Sequence, residues 1–157
     1  MERRTDEIIV AVSGGFDPVH VGHIRYFEQA RTLGDKLLVI LNDDDWLMRK
    51  KGYVFMPLEE RIEVLKAIRY IDEIVVREPA EDTSINHMLE KLTVHIFAKG
   101  GDRTLENIPE AEVCTRRGIQ MIFGVGGNDK PQSSSWLVQK VRGEDSQRRQ
   151  DQERAAH

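Results

Sequence analysis

The sequence has few of the features that mark secreted, membrane-spanning or DNA-binding proteins. It contains a single cysteine, Cys114, so no disulfide can form within the chain, and this fits a reducing compartment. No apolar run approaches the roughly 20 residues that a membrane helix requires, and residues 1–7 lack the apolar segment of a signal peptide. The net charge of -4 contrasts with the basic surface of a duplex nucleic-acid binder. We therefore expect a cytoplasmic protein without nucleic-acid or membrane partners.

The sequence does contain a regular alternation of apolar runs and helical patterns over its 157 residues. The apolar runs predict five buried strands, at 8–12, 36–41, 71–76, 94–98 and 120–123. Helical patterns lie between or after them, at 24–33, 57–68, 82–92, 109–117 and 133–141. This alternation predicts an α/β fold, a Rossmann-like doubly wound five-stranded parallel sheet with helices on both faces.

Two further segments complete the predicted organisation. Residues 45–56 show no clean period and are interpreted as a mobile basic loop. Residues 1–142 are predicted to form one domain, and the polar and charged residues 143–157 a disordered tail. Cys114 and Trp136 are interpreted as packing residues.

A glycine-rich stretch follows the first strand and leads into the first helix. Residues 13–23 read Ser-Gly-Gly-Phe-Asp-Pro-Val-His-Val-Gly-His. A strand, a glycine turn and a helix together direct backbone N–H groups at an anion. Gly14 and Gly15 either form a tight turn or keep the backbone close to phosphates. His20 and His23 lie three residues apart at the helix entry, which predicts a nucleoside triphosphate site; surface histidines or a zinc pair are the alternatives.

Three chemically unusual segments, 13–23, 99–104 and 124–135, each follow a predicted strand. In a parallel sheet, the carboxyl ends of the strands meet at one edge, and ligands bind in the crevice there. We therefore expect the three segments to converge on one site.

Several motifs resemble those of the cytidylyltransferase-like family of nucleotidyltransferases. The opening stretch matches the pattern Gly-x-Phe-Asp-x-x-His-x-Gly-His, and a serine-rich helix start at 133–135 resembles its usual companion. The Lys-Gly-Tyr at 51–53, the Glu-Arg at 60–61 and the run at 69–73 resemble the cytidylyltransferases of the family. The Lys-Gly-Gly-Asp at 99–102 and the Glu-Asp-Thr at 81–83 resemble heptose-phosphate adenylyltransferases.

The resemblance implies transfer of a nucleotidyl group from a nucleoside triphosphate to a small phosphorylated or phosphonate acceptor, with release of pyrophosphate. The balance of motifs favours CTP over ATP. The resemblance also implies Mg²⁺ bound with the nucleotide, no metal ligands from the protein, and a homodimer. The alternatives are an adenylyltransferase of the heptose-phosphate type and a non-catalytic nucleotide-binding regulatory protein.

The resemblance also assigns roles to individual residues. The catalytic residues that it implies are His20, His23 and Lys51. The nucleotide-binding residues that it implies are Gly14, Gly15, Phe16, Asp102, Ser133, Ser134 and Ser135. The residues implied for the second substrate are Arg61 and Lys99.

Structural alternatives stand beside several of these roles. Asp17, followed by Pro18, is interpreted as an N-cap with proline at the first helical position. Arg61 is either a phosphate ligand or half of an ion pair with Glu60 or Asp72. Asp102 is either a ribose ligand or an Asx turn, and the serines at 133–135 serve as a helix cap that is compatible with phosphate binding.

Overall fold

A computed structural model of the protein describes residues 6–101, 108–127 and 133–143. Its centre is a five-stranded parallel sheet in the order β3-β2-β1-β4-β5. The strands are β1 (Ile9–Gly14), β2 (Lys36–Leu41), β3 (Glu73–Val76), β4 (Ile96–Ala98) and β5 (Gln120–Ile122). The predicted doubly wound α/β fold is therefore confirmed.

Helices cover both faces of the sheet. They are α1 (Val21–Arg31), α2 (Asp44–Lys51), α3 (Leu58–Lys66), α4 (Asn86–Lys91), α5 (Ala111–Arg117) and α6 (Ser134–Val141). One core contains Phe27 of α1 and Leu65 of α3, and the other contains Met88 of α4 and Cys114 of α5. Because the chain runs from β1 to β2 on one face and returns through β4 on the other, the carboxyl ends of β1 and β4 form the switch point where such sheets bind ligands.

The prediction of a mobile loop over 45–56 is wrong for its first half, which forms α2. Asp43 caps this helix by accepting a hydrogen bond from the backbone N–H of Trp46, and Gly52 ends it with a φ of 80°. Acidic residues occupy its first turn and basic residues its last, as the helix dipole favours. Only Leu47 is buried, so the helix shows no apolar period.

The helix predicted over 82–92 begins later, at Asn86. Side chains donate hydrogen bonds to the backbone carbonyls of the residues before Asn86. Arg77 donates to the carbonyls of Asp82 and Ser84, and the Trp46 indole donates to the carbonyl of Thr83 at 2.9 Å. These carbonyls are therefore held outside a helical ladder.

The structure also bears on the predicted packing residues, on membrane helices and on the C-terminal tail. Cys114 is buried as predicted, whereas Trp136 is 52% exposed, so its interpretation as a packing residue is wrong. Within the described parts of the chain, no helix has the length and apolar character needed to cross a bilayer. The predicted tail lies outside the described residues, apart from Gly143.

Candidate active site

The glycine turn lies at the carboxyl end of β1, beside the switch point. A side chain on Gly14 would approach the Phe16 ring to 2.9 Å, and one on Gly15 would approach Leu47 of α2 to 2.7 Å. The turn therefore packs closely against its neighbours at both glycines. Phe16 adopts a φ of 50°, and its buried ring meets the edge of His23 at a centroid distance of 4.9 Å. Only the backbone of Phe16 is thus suited to the predicted nucleotide contact.

The two predicted catalytic histidines lie together at the start of α1. Their rings stack with centroids 3.7 Å apart. The Nδ1 atom of His20 accepts a hydrogen bond from the backbone N–H of Gly22 at 3.1 Å, and that of His23 accepts from the backbone N–H of His20 at 3.2 Å. A neutral imidazole that accepts at Nδ1 carries its proton on Nε2. Both rings therefore have an Nε2–H donor, and the helix cap fixes their orientation.

Electrostatics keep His23 neutral. Burial, and after it the neighbouring His20 and the Lys51 ammonium, together lower the pKa of His23 to about 3. Lys51 is the last residue of α2, so the helix brings its charge towards the histidine pair. The structure thus associates all three predicted catalytic residues, two from α1 and one from α2.

The low pKa of His23 predicts that its ring does not titrate between pH 5 and pH 8. Because the unfolded ring titrates near 6.5 and the folded ring near 3, protonation favours the unfolded chain. The stability that this residue contributes is therefore present above pH 6.5 and is lost as the pH falls towards 3. NMR titration of the histidine Cε1–H resonances, assigned with a His23→Gln variant, measures this directly. A titration midpoint for His23 near the ordinary histidine pKa would contradict this prediction.

Asp17 does not cap α1, so its interpretation as an N-cap is wrong. His20 occupies the cap position, and Asp17 is fully buried. Its carboxylate accepts hydrogen bonds from the backbone N–H groups of Phe55 and Met56, both at 2.6 Å. Asp17 therefore binds the segment between α2 and α3 to the glycine turn.

Arg61 is completely buried within the same region. Its guanidinium donates to the backbone carbonyls of Gly15 at 2.9 Å, Asn42 at 2.6 Å and Met56 at 2.9 Å. It also pairs with Asp44 at 2.6 Å, not with Glu60 or Asp72. This environment favours the ion-pair alternative over phosphate binding, because a contact with an external phosphate would break bonds that hold three segments together.

The serines at the start of α6 lie beside the glycine turn. Ser133 occupies the N-cap position, and the Ser134 hydroxyl donates to the carbonyl of Pro18 at 2.8 Å. Both are buried, whereas Ser135 is exposed. The Ser134 hydroxyl thus anchors the start of α6 to the stretch at 13–23. Asp102, the other predicted nucleotide contact, lies outside the described residues.

A cavity of about 380 Å³ opens at the carboxyl ends of β1, β2 and β4; we call it the switch-point cavity. The residues that line it include Ser13, Asn42, Trp46, Lys50, Lys99 and Glu110. Lys99 was predicted for the second substrate, and its Nζ also lies 4.9 Å from the centre of the Phe97 ring. Sequence reasoning missed Asn42, Trp46 and Glu110 as site residues, whereas Ser13 belongs to the predicted stretch at 13–23. Asn42 could have been found, because it is a polar residue immediately after a buried strand, whereas Trp46 and Glu110 carry no motif.

Cys114 lies near this cavity but has no chemical role in it. Burial, and after it the nearby Glu110 charge, together raise the pKa of its thiol to about 11. The thiol is therefore protonated at neutral pH and behaves as a packing group.

Carboxylates of the described residues do not form a metal centre. In residues 6–101, 108–127 and 133–143, no group of three or more histidine, cysteine or acidic side chains is placed to hold a metal ion. The carboxylate nearest the histidines in sequence, Asp17, has both oxygens occupied by backbone N–H groups.

Comparison with known proteins identifies similar chains. The sequence model described as cytidylyltransferase-like matches residues 11–133. A FAD synthase from Thermococcus kodakarensis is 38% identical over 120 residues, covering 76% of this chain and 79% of that protein. A FAD synthase from Pyrococcus abyssi is 41% identical over 100 residues, covering 63% of this chain and 66% of that protein.

Another similar protein is much longer than this chain. The bifunctional protein HldE from Geobacter sulfurreducens is 35% identical over 145 residues, covering 89% of this chain but only 28% of its own length. A crystal structure of the lipopolysaccharide core biosynthesis protein from Thermoplasma volcanium shares the fold, with a TM-score of 0.60 and 23% identity over 75% of this chain and 94% of that one. The family match over most of the chain agrees with the motifs at the glycine turn. The chain belongs to the cytidylyltransferase-like family of nucleotidyltransferases.

Proposed function

We propose that this protein transfers an adenylyl group from ATP to the phosphate of a small acceptor and releases pyrophosphate. The observation that carries the proposal is the histidine pair. Two neutral rings are fixed by the cap of α1, each with its proton on Nε2, beside the glycine turn, the Lys51 ammonium and the start of α6.

The names of the relatives support ATP over the CTP that the sequence motifs favoured. FAD synthase is named for a product that contains an adenylyl unit, and two such proteins are 38% and 41% identical to this chain. The motifs at 51–53 and 69–73 favour CTP instead. Transfer of a cytidylyl group is therefore the second candidate.

The proposed reaction is direct and forms no covalent intermediate with the protein. An oxygen of the acceptor phosphate attacks the α-phosphorus, the bond from that phosphorus to the bridging oxygen breaks, and pyrophosphate leaves with the bonding electrons. The acceptor phosphate is largely ionised at neutral pH, so no general base is required. Catalysis then depends on positioned donors and cations around the phosphates.

The chain's own residues supply these groups. The Nε2–H groups of His20 and His23 donate to phosphate oxygens, and the Lys51 ammonium offsets the negative charge that develops on the leaving group. The start of α6, which Ser134 anchors to Pro18, would add positive potential from its backbone N–H groups. Mg²⁺ held by the triphosphate would offset further negative charge and orient the leaving group.

An assay of pyrophosphate release tests the proposal. ATP and CTP are each paired with glycerol 3-phosphate, a hexose 1-phosphate, phosphocholine, 2-aminoethylphosphonate and FMN, in the presence of Mg²⁺. We expect release with ATP and at least one acceptor, at a rate well above that with CTP.

Nucleotide binding measured by calorimetry provides the control. A non-catalytic nucleotide sensor would bind ATP but release no pyrophosphate with any acceptor. Faster release with CTP would instead establish the second candidate.

A further inference from the structure

Two buried side-chain oxygen atoms, on residues that line the switch-point cavity, have no hydrogen-bond partner. They are Oδ1 of Asn42, which is 3% exposed, and Oε2 of Glu110, which is 6% exposed. Buried polar atoms are almost always paired in folded proteins, since an unpaired acceptor has lost its water without gaining a donor. Two such atoms on residues that line one cavity point to a ligand that donates hydrogen bonds to them.

The carboxylate of Glu110 is already fixed by its other oxygen. Oε1 accepts a hydrogen bond from the backbone N–H of Ile85 at 3.3 Å, so Glu110 joins the start of α5 to the segment before α4. That structural contact requires one oxygen only. Among the described residues, Glu110 forms no ion pair, so its second oxygen has no cation to satisfy it.

The same cavity is lined by Lys50 and Lys99, which suit a phosphate group. A ligand that contacts all four side chains in these ways has a phosphate and at least two hydrogen-bond donors. The two free acceptors lie on different elements, Asn42 after β2 and Glu110 before α5, so a single donor group is less suitable than several hydroxyls. A volume of about 380 Å³ lies near the lower end of the range for small-molecule sites, which favours a small ligand.

The cavity adjoins the triphosphate site without including it. It is lined by Ser13 and Gly14 of the glycine turn, whereas among the described residues His20 and His23 lie outside its wall. A ligand in the cavity would thus meet the nucleotide at the carboxyl end of β1, which is where the second substrate of the proposed reaction must lie.

We propose that Glu110 is a specificity-determining residue that, with Asn42, accepts hydrogen bonds from the hydroxyls of a sugar or polyol phosphate bound as the acceptor. This inference rests on the proposed function and specifies its acceptor class. Phosphocholine, whose only donors are on its phosphate, leaves both buried oxygens unpaired and is therefore a poor acceptor.

Replacement of Glu110 by glutamine tests this directly. The amide oxygen retains the bond from Ile85, but the amide nitrogen cannot accept from a hydroxyl. We expect kcat/KM for glycerol 3-phosphate and the hexose 1-phosphate to fall about tenfold or more, the factor that a hydrogen bond to a charged group contributes. The KM for ATP and the rate with phosphocholine should stay unchanged. Glu112→Gln is the matched control, since Glu112 lies in the first turn of α5 and its side chain is 78% exposed.

Other results would overturn the inference. A Glu110→Gln variant that slows all acceptors equally, or raises the KM for ATP, would have a general structural defect. A wild-type preference for phosphocholine would exclude a polyol acceptor. If the wild-type protein releases no pyrophosphate with any acceptor, the proposed function fails, and calorimetry with glycerol 3-phosphate then decides the inference alone. Weaker binding to Glu110→Gln than to the wild type would support it, and equal or absent binding would overturn it.

Discussion

Replacing His23 with alanine is expected to slow nucleotidyl transfer by about 100- to 1,000-fold, the usual effect of removing one positioned donor from a charged transition state. The variant loses the Nε2–H donor and also the acceptor for the backbone N–H of His20. Loss of that single cap bond costs about 1 kcal/mol, so the fold should persist. Single-turnover rates with ATP measure the loss of catalysis, and the circular dichroism spectrum shows whether the fold is retained.

A histidine elsewhere on the surface provides the matched control. His87 on α4 contacts the backbone carbonyl of Glu78 and lies outside the crevice. His87→Ala should keep its turnover. Near-native turnover in His23→Ala would show that the histidine pair does not act on the phosphates.

Replacing Arg61 with methionine is expected to lower the free energy of unfolding by about 3–5 kcal/mol. The reason is the set of carbonyls that it satisfies, on Gly15, Asn42 and Met56, which a thioether would leave unpaired. Asp44 is 45% exposed and would regain water, so it adds little to this loss. Urea denaturation followed by circular dichroism measures the change.

Two further variants show whether the loss of stability is due to the hydrogen-bond donors of Arg61. Arg61→Lys keeps the charge but not the fork of donors, and it should be intermediate in stability. Arg69→Met removes an exposed arginine and should leave the denaturation midpoint almost unchanged. A stable Arg61→Met protein with a raised KM for the acceptor would instead support the phosphate-binding interpretation.

The strands and the glycine turn could be predicted from sequence because their determinants are local. Short apolar runs defined each strand to within a few residues, and the resemblance at 13–23 located the histidine pair. The helix α2 was missed because the prediction relied on apolar period, whereas this helix buries only Leu47 and depends on the Asp43 cap and the Gly52 turn.

The remaining errors concern side chains whose partners are far away in sequence. Asp17 precedes a proline and has the local sequence of an N-cap, yet its partners lie 38 and 39 residues later. Arg61 was predicted to bind a phosphate or to pair with Glu60 or Asp72, but it lies four residues before the buried Leu65 and so shares its buried face. Glu110 and Asn42 belong to no motif, so only their shared position around the switch-point cavity reveals them.

The two buried charged side chains around the glycine turn have a consequence for how substrates bind. Asp17 and Arg61 connect the turn to the end of β2 and to the segment after α2, and Lys51 ends a capped helix rather than a loose loop. The donors are therefore largely in place before the nucleotide arrives. Little conformational entropy is then lost on binding, so more of the interaction energy with the phosphates remains for affinity and for the transition state.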